Sequence, residues 1–298
     1  MLLWARGHGV LPFHLREVSM KKSLLTSCAA LTALTFVAAA GPAHAAASHA
    51  QRPTAAAKRA GIQRLGDAYA GWEHHDSKTG ADSGALVRPL SSANATLGID
   101  VAAYQGNVDW SSQYRSGVRW AYTKATEGNY YTNPYFAQQY DGSYRAGIVR
   151  GAYHFANPAG SSAVNQAAYF VAHGGGWSKD GKTLPGMLDI EYNPYGATCY
   201  GLSQSAMTSW IRSFLTEYRR KTGRDAVIYT TADWWQTCTG NTTAFNQTNP
   251  LWIARYSSSP GTLPGRWPYY TMWQYTSSPI DHDWFNGDLS RVKALANG

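Results

Sequence analysis

Two acidic residues interrupt an apolar run at residues 186–192, GMLDIEY. The apolar members of this run are typical of a buried strand, in which side chains two positions apart point to the same face. Asp189 and Glu191 are therefore expected on one side of the strand. Because like charges close together push their pKa values apart, one acid would keep its proton while the other stays ionised. Glycoside hydrolysis uses such a division, with one carboxyl donating a proton and another stabilising positive charge at the anomeric carbon.

A purely structural interpretation of the same pair stays open at this point. Asp-X-Glu is a common tripeptide, and the two acids could lie on an exposed edge strand. They could also be neutralised by an arginine, because buried charges need a partner. The pair alone therefore does not establish a chemistry.

Eight strand-like runs follow residue 96 and alternate at first with helix-compatible stretches. The strands are predicted at 97–103, 118–125, 149–155, 187–191, 226–231, 251–254, 271–275 and around 280–281, and the helices at 135–146, 163–174 and 203–222. This alternation favours a parallel sheet, and eight strands in about 200 residues favour a closed barrel. Long helices are not evident after residue 231, so the last three units of the barrel are expected to be modified.

Polar and aromatic residues recur where the predicted strands end, which is where barrels of this kind gather their catalytic groups. In chain order, the candidates are Asp100, Tyr104, Gln105, Tyr122, Lys124, Glu127, Tyr153, His154, Asp189, Glu191, Tyr229, Trp252, Arg255, Tyr256, Trp273, Gln274, Asp281 and Asp283. A barrel built for stability alone would not place so many acids at matching ends. The aromatic residues could still be core residues at the barrel mouth, and Lys124 and Glu127 could pair structurally. His154 is expected to be a hydrogen-bonded wall residue.

The composition disfavours several classes of protein. With 44% hydrophobic and 15% charged residues, the 298-residue chain can bury a sizeable core. Its formal charge of +8 comes without a Lys/Arg cluster, which disfavours nucleic-acid binding and suits an anionic polymer such as a bacterial wall. The 12 Trp and 20 Tyr residues could stack on sugar faces, although a Trp-rich core explains part of the excess. Motifs for serine hydrolases and nucleotide binding do not occur, and we expect no cofactor.

The N-terminal part divides into three segments. Residues 1–19 precede Met20, which we take as the true start, and residues 20–45 have the form of a secretory signal peptide ending in Ala-His-Ala. Residues 46–95 are expected to be a linker or leader with one short amphipathic helix around 62–72. His74, His75 and Asp76 are a weak metal signal there, and we assign no metal. Residues 96–298 would form the catalytic barrel of a secreted, extracellular protein.

Two cysteines, Cys199 and Cys238, remain once Cys28 is removed with the signal peptide. In an oxidising compartment they can pair, which would contribute about 3–4 kcal/mol on a chain-entropy model. Two free buried thiols are the alternative.

Seven sequence blocks resemble the motif set of glycoside hydrolase family 25, the N-acetylmuramidases often called Chalaropsis-type lysozymes. They are GIDVAAYQGNVDW (98–110), AYTKATEGNYYTNPYF (121–136), RGAYHFANP (150–158), GMLDIEY (186–192), PLWIARY (250–256), MWQYTSS (272–278) and IDHDWFNG (280–287). The resemblance extends from about residue 96 to the C-terminus. It implies an α/β fold, a modified TIM-like (β/α)5(β)3 barrel, and hydrolysis of the β-1,4 bond between N-acetylmuramic acid and N-acetylglucosamine in bacterial peptidoglycan.

The resemblance also implies roles for individual residues. The family's acidic cluster falls on Asp100, Asp189, Glu191 and Asp281, the last preferred over Asp283. Glu191 matches the general acid, and Asp189 would stay charged and orient the substrate. The substrate's own 2-acetamido oxygen is the favoured nucleophile, while direct attack by an aspartate and inversion through water stay open. Substrate-binding candidates are Tyr104, Tyr122, Lys124, Glu127, Tyr229, Trp252, Arg255, Trp273 and Gln274.

Two rival functions are compatible with parts of this pattern. An amidase or peptidase acting on the stems of the same wall would need a zinc triad or a catalytic cysteine. A non-catalytic wall-binding barrel would not need all four acids, which are present here. For the hydrolase we expect a monomer without stable membrane association, with peptidoglycan as partner and the four acids meeting in one cleft open to solvent.

Overall fold

The computed structural model describes residues 51–73 and 94–298, which fall within one compact unit, Ser48–Gly298. The predicted signal peptide, the doubtful start before Met20 and the group His74, His75 and Asp76 lie outside the described residues. Within the described ranges, no helix is long and apolar enough to cross a membrane.

Nine strands form one sheet, and eight of them close into a barrel. The strands are β1 (Thr96–Val101), β2 (Trp120–Glu127), β3 (Tyr131–Thr132), β4 (Val149–Phe155), β5 (Met187–Asp189), β6 (Val227–Thr230), β7 (Leu251–Ala254), β8 (Met272–Thr276) and β9 (His282–Phe285). Their order is β1-β9-β8-β7-β6-β5-β4-β2-β3, and a β1–β2 pairing closes the ring. Neighbouring strands run parallel along the series β1, β2, β4, β5, β6, β7 and β8. The strand that closes the ring between β8 and β1, β9, runs antiparallel to both of these neighbours.

The helices complete the predicted (β/α)5(β)3 plan, which is confirmed. They are α1 (Ala55–Arg59), α2 (Trp110–Arg115), α3 (Phe136–Arg145), α4 (Ala163–Phe170), α5 (Gln204–Thr222), α6 (Ala232–Thr239) and α7 (Leu289–Asn297). Helices α2 to α6 each follow one of the first five barrel strands, and β7, β8 and β9 follow one another without an α-helix between them. Helix α5 begins after Ser203, whose hydroxyl accepts from the Ala206 amide, and ends at Gly223 in the left-handed conformation.

Several local predictions were wrong. The helix expected around 62–72 does not form: the helix of this segment is α1, and Gly66 and Gly71 adopt positive φ, which breaks a helical repeat. Helices α2, α6 and α7 were not predicted, because six to nine residues carry too little periodicity. The last strand begins at His282, after the predicted pair 280–281.

Strand alternation divides the buried residues into two layers. Inside the ring, Trp120, Tyr122, Tyr229 and Trp252 pack against one another with edge-to-face ring contacts. The intervening strand residues point outward and pack on the helices, as Leu188, Ile190 and Ile228 do against the apolar face of α5. The period of two thus separates an inner layer, inside the ring, from an outer layer between the ring and the helices.

The predicted disulfide is confirmed. Cys199 and Cys238 are bonded, with Cα atoms 5.2 Å apart. The bridge joins the segment after β5 to helix α6, which holds the long loop that leaves the barrel mouth.

Candidate active site

The carboxyl end of β5 directs two acids into the barrel. Asp189 pairs in register with Phe155 on β4 and Tyr229 on β6, and Glu191 follows two residues later. Both side chains are fully buried. As the alternation predicted, both carboxylates point into the ring and contact each other, although β5 ends at Asp189 and Glu191 lies two residues beyond it.

Asp189 and Glu191 lie close enough for the protonation of one to affect the other. Within residues 51–73 and 94–298, both oxygens of Asp189 and Oε2 of Glu191 find no hydrogen-bond donor if both acids are ionised. Burial, followed by the charge on Asp189, raises the pKa of Glu191, and a hydrogen bond from Glu191 to Asp189 raises it further. Burial also raises the pKa of Asp189, while the nearby Lys124 ammonium and the bond from Glu191 lower it. The electrostatics of the pair therefore favour the proton on Glu191 over Asp189.

Asp100 on β1 is held by a side-chain amide from β8, which lies two strands away around the ring. Gln274 on β8 donates from Nε2 to Asp100 Oδ2 at 2.8 Å, and its Oε1 accepts from the Tyr229 hydroxyl at 2.6 Å. Tyr256 reaches the same Oε1 at 3.2 Å. Burial, with repulsion from Asp281, raises the pKa of Asp100. The network fixes the Asp100 carboxylate at the mouth of the ring.

The last acids lie at two depths. Asp281 precedes β9 at the mouth and accepts from the Tyr104 hydroxyl at 2.7 Å. Asp283 lies further down the barrel, paired with Gly98, and accepts from Trp252 Nε1 at 3.2 Å. Burial raises the pKa of Asp281 to about 7, and burial with repulsion from Asp281 raises that of Asp283. The structure thus brings together all four predicted acids, with Asp283 one layer beneath Asp281.

The sequence of this barrel matches a known family of enzymes. Residues 99–284 match the model for glycosyl hydrolases family 25. The chain belongs to this family. As predicted, it is a glycoside hydrolase of the lysozyme type.

Similar proteins align over the family 25 barrel. Lysozyme M1 of Streptomyces globisporus is 49% identical over 208 residues, which cover 67% of this chain and 71% of that protein. An N,O-diacetylmuramidase of Chalaropsis sp is 47% identical over 208 residues, 67% of this chain and 99% of that protein. The solved structure of a muramidase from Acremonium alcalophilum shares 57% identity and a TM-score of 0.67, over 68% of this chain and 99% of that one.

Six of the nine predicted substrate-binding residues lie at the mouth of the family 25 barrel. Tyr104, Tyr229 and Gln274 contact the acids or their partners as described. Lys124 and Glu127 form a buried ion pair of 2.6 Å, next to the acids rather than among them. Arg255 lines a cavity of about 300 Å³ that opens beside the mouth.

The structure places the other three predicted residues deeper in the ring or outside it, and their contact with substrate stays a prediction. Tyr122 lies deep inside the ring, where its hydroxyl donates to Pro185 O at 2.8 Å. Trp252 is fully buried in the same inner layer. Trp273 points outward, packs in the outer layer, and donates to Arg255 O at 2.9 Å. Its neighbour Gln274 points inward, because successive strand residues face opposite sides.

The sequence pattern missed several aromatic residues of the site. Tyr192 lines the cavity beside the mouth and donates to Asp233 Oδ2 at 2.8 Å. Tyr153 and Tyr256, found at strand ends but not assigned to the site, border the acids. For Tyr192, its position directly after Glu191 was the available signal.

The expectation of an open cleft was wrong for this state of the chain. Residues 66–72 lie across the mouth, and the four acids are at most 1% exposed beneath them. The prediction assigned residues 46–95 to a linker or leader and gave them no contact with the barrel. The acids do share one site, and the chain itself covers it.

Proposed function

We propose that this family 25 enzyme is a secreted lysozyme that hydrolyses the β-1,4 bond between N-acetylmuramic acid and N-acetylglucosamine in bacterial peptidoglycan, with Glu191 as general acid. The observation that carries the proposal is the buried Asp189–Glu191 pair at the carboxyl end of β5, in which burial and the charge on Asp189 raise the pKa of Glu191. The relatives named lysozyme and N,O-diacetylmuramidase support the choice of substrate.

In the first step, Glu191 protonates the glycosidic oxygen as the bond to the anomeric carbon breaks. The proton passes to the leaving sugar and Glu191 becomes a carboxylate. Positive charge then develops on the sugar ring, where the carboxylate cluster stabilises it. Asp189 keeps the proton on Glu191 before the step, because its charge disfavours a second carboxylate beside it.

The second step needs a nucleophile at the anomeric carbon. The 2-acetamido oxygen of the substrate fills this role in our proposal and forms a cyclic intermediate, with Asp100 or Asp281 stabilising the charge on the acetamido group. Water then opens the intermediate, and Glu191 takes back the proton from that water. Asp100 is suited to this role because Gln274 and its tyrosine partners hold its carboxylate in place.

Two observations support the proposal that the enzyme is secreted. The Cys199–Cys238 bridge supports it, since stable disulfides are typical of oxidising compartments. The charged start, apolar stretch and Ala-His-Ala site of residues 20–45 support it independently.

Mass spectrometry of fragments released from purified peptidoglycan tests the proposal. A muramidase releases disaccharide units with new N-acetylmuramic acid reducing ends, whereas an amidase releases peptides with intact glycan strands. Fragments that contain free stem peptides and no new reducing ends would contradict the proposed bond.

A further inference from the structure

The backbone of residues 66–72 binds the same groups that would act on substrate. The Gly71 amide donates to Glu191 Oε1 at 2.7 Å, and the Gly71 carbonyl accepts from the Tyr256 hydroxyl at 3.2 Å. The Gly71 amide thus occupies Oε1 of Glu191, while Oε2 lies on the side of the buried Asp189 carboxylate. In this state the segment occupies the position beside Glu191 that a glycosidic oxygen would take.

A second contact fixes the segment at the buried ion pair. Lys124 Nζ donates to Gly66 O at 2.9 Å, to Ala68 O and to Glu127 Oε2 at 2.6 Å, which uses all three of its protons. The Gly66 amide donates to Glu127 Oε1 at 2.9 Å. A fully buried lysine on the barrel is thus satisfied largely by carbonyl groups of the N-terminal segment.

A third contact covers the far side of the mouth. The ring of Tyr69 lies 4.5 Å from the ring of Tyr104, the residue that holds Asp281. Tyr69 is half-buried there, and burial with repulsion from Asp281 and Glu191 raises its pKa to about 12. The segment therefore reaches from Glu191 across to Asp281 and spans the full width of the acid cluster.

Flanking residues anchor the segment outside the mouth. Trp72 Nε1 donates to Tyr192 O at 2.9 Å, and the Thr54 amide donates to Pro194 O at 2.8 Å. Ala57, Ile62, Ala68 and Trp72 form an apolar cluster with Phe155 and Tyr195 of the barrel. These contacts give the segment binding energy that does not depend on the acids.

We propose that residues 51–73 are an intramolecular inhibitor, which occupies the substrate-binding groove and has to leave before a peptidoglycan strand can bind. The inference rests on the proposed function for the identity of the substrate. It is independent of the family's known barrel, because residues 51–73 lie outside the family match of 99–284. Since the segment and the groove belong to one chain, binding is favoured by an effective concentration of order millimolar.

Two glycines allow a test in the full chain. A Cβ at Gly71 would lie 2.4 Å from the Tyr256 hydroxyl and 2.6 Å from Gln274 Oε1, and one at Gly66 would lie 2.3 Å from the Tyr131 ring. Gly71→Val and Gly66→Val should therefore expel the segment. Gly61→Val is the matched control: its φ is also positive, +87°, but nothing lies within 4 Å of the added Cβ.

The first measurement is the rate at which each chain releases reducing ends from peptidoglycan. If the closed form outweighs the open form by ten to one or more, Gly71→Val and Gly66→Val will be about tenfold faster than wild type or better. Gly61→Val shares the strain of a positive φ but not the clash with the barrel, so it should be activated much less than the other two. A synthetic peptide of residues 51–73, but not a scrambled one, should inhibit Gly71→Val by raising KM at unchanged kcat. Equal rates in all four chains would overturn the proposal.

The second measurement separates this proposal from the proposed function. Soluble glycan strands prepared from peptidoglycan are titrated against the same four chains, and their affinities are compared. Tighter binding by Gly71→Val and Gly66→Val supports an inhibitory segment even if no chain cuts the strands, in which case the proposed bond is wrong. Equal affinity in all four chains, with or without cleavage, overturns the inhibitor.

Discussion

Gln274 on β8 donates from Nε2 to Asp100 Oδ2 on β1 across 2.8 Å, and no other side chain provides Asp100 with a hydrogen bond among the described residues. Gln274→Glu keeps the shape of the side chain but replaces the donor with a further acid. A hydrogen bond to a charged group is worth about 1.5–3 kcal/mol, so kcat should fall about 10- to 100-fold. Steady-state kinetics on peptidoglycan measure this, and an unchanged kcat would contradict a role for Asp100.

Glu191→Gln removes the proton donor while preserving the acceptor for the Gly71 amide. General acid catalysis contributes about 100- to 10,000-fold to the rate, so the rate of reducing-end release should fall by at least about 100-fold. Binding to insoluble wall and the thermal midpoint should stay close to wild type. Glu217→Gln, an acid on the outer surface of α5 paired with Arg220, is the control and should keep full activity. Lysis that survives Glu191→Gln would show that another group is the acid.

Strand periodicity explains why Asp189 and Glu191 could be predicted and Trp273 could not. The two acids are separated by two positions, so one alternation rule fixes both on the same face. Trp273 and Gln274 are adjacent and must face opposite ways, and which one enters the ring depends on strand register. Register is set by the neighbouring strands β7 and β9, which a single sequence does not reveal.

The position of residues 66–72 across the mouth could not be predicted, for a different reason. The apolar residues around 62–72 have a spacing that suits a helix, but in the fold they serve contacts with the barrel. Gly66 and Gly71 take conformations that depend on Tyr131, Tyr256 and Gln274, residues far away along the chain. Local pattern therefore identified an unusual leader without indicating that it lies on the acids.

The buried acid Asp281 predicts a specific dependence of stability on pH. Its pKa is raised from 3.8 to about 7, so the folded state favours its neutral form. The resulting stabilisation is fully present below about pH 4 and is lost as pH rises through 7, by up to about 4 kcal/mol. Asp281→Asn keeps an acceptor for Tyr104 but cannot ionise. The free energy of unfolding in urea, measured at pH 4.5 and pH 8, should change less with pH in the variant than in wild type. The same change in both proteins would contradict the raised pKa of Asp281.

The bridge between Cys199 and Cys238 should affect stability more than catalysis. It closes a loop with a sequence separation of 39, which on the chain-entropy model contributes about 3–4 kcal/mol. In the double variant Cys199→Ser, Cys238→Ser, the free energy of unfolding in guanidinium chloride should fall by that amount. Initial rates at 25 °C should remain near wild type, because the bridge joins α6 to the segment after β5 and does not touch the four acids. A large loss of kcat with unchanged stability would instead place this bridge in control of the mouth.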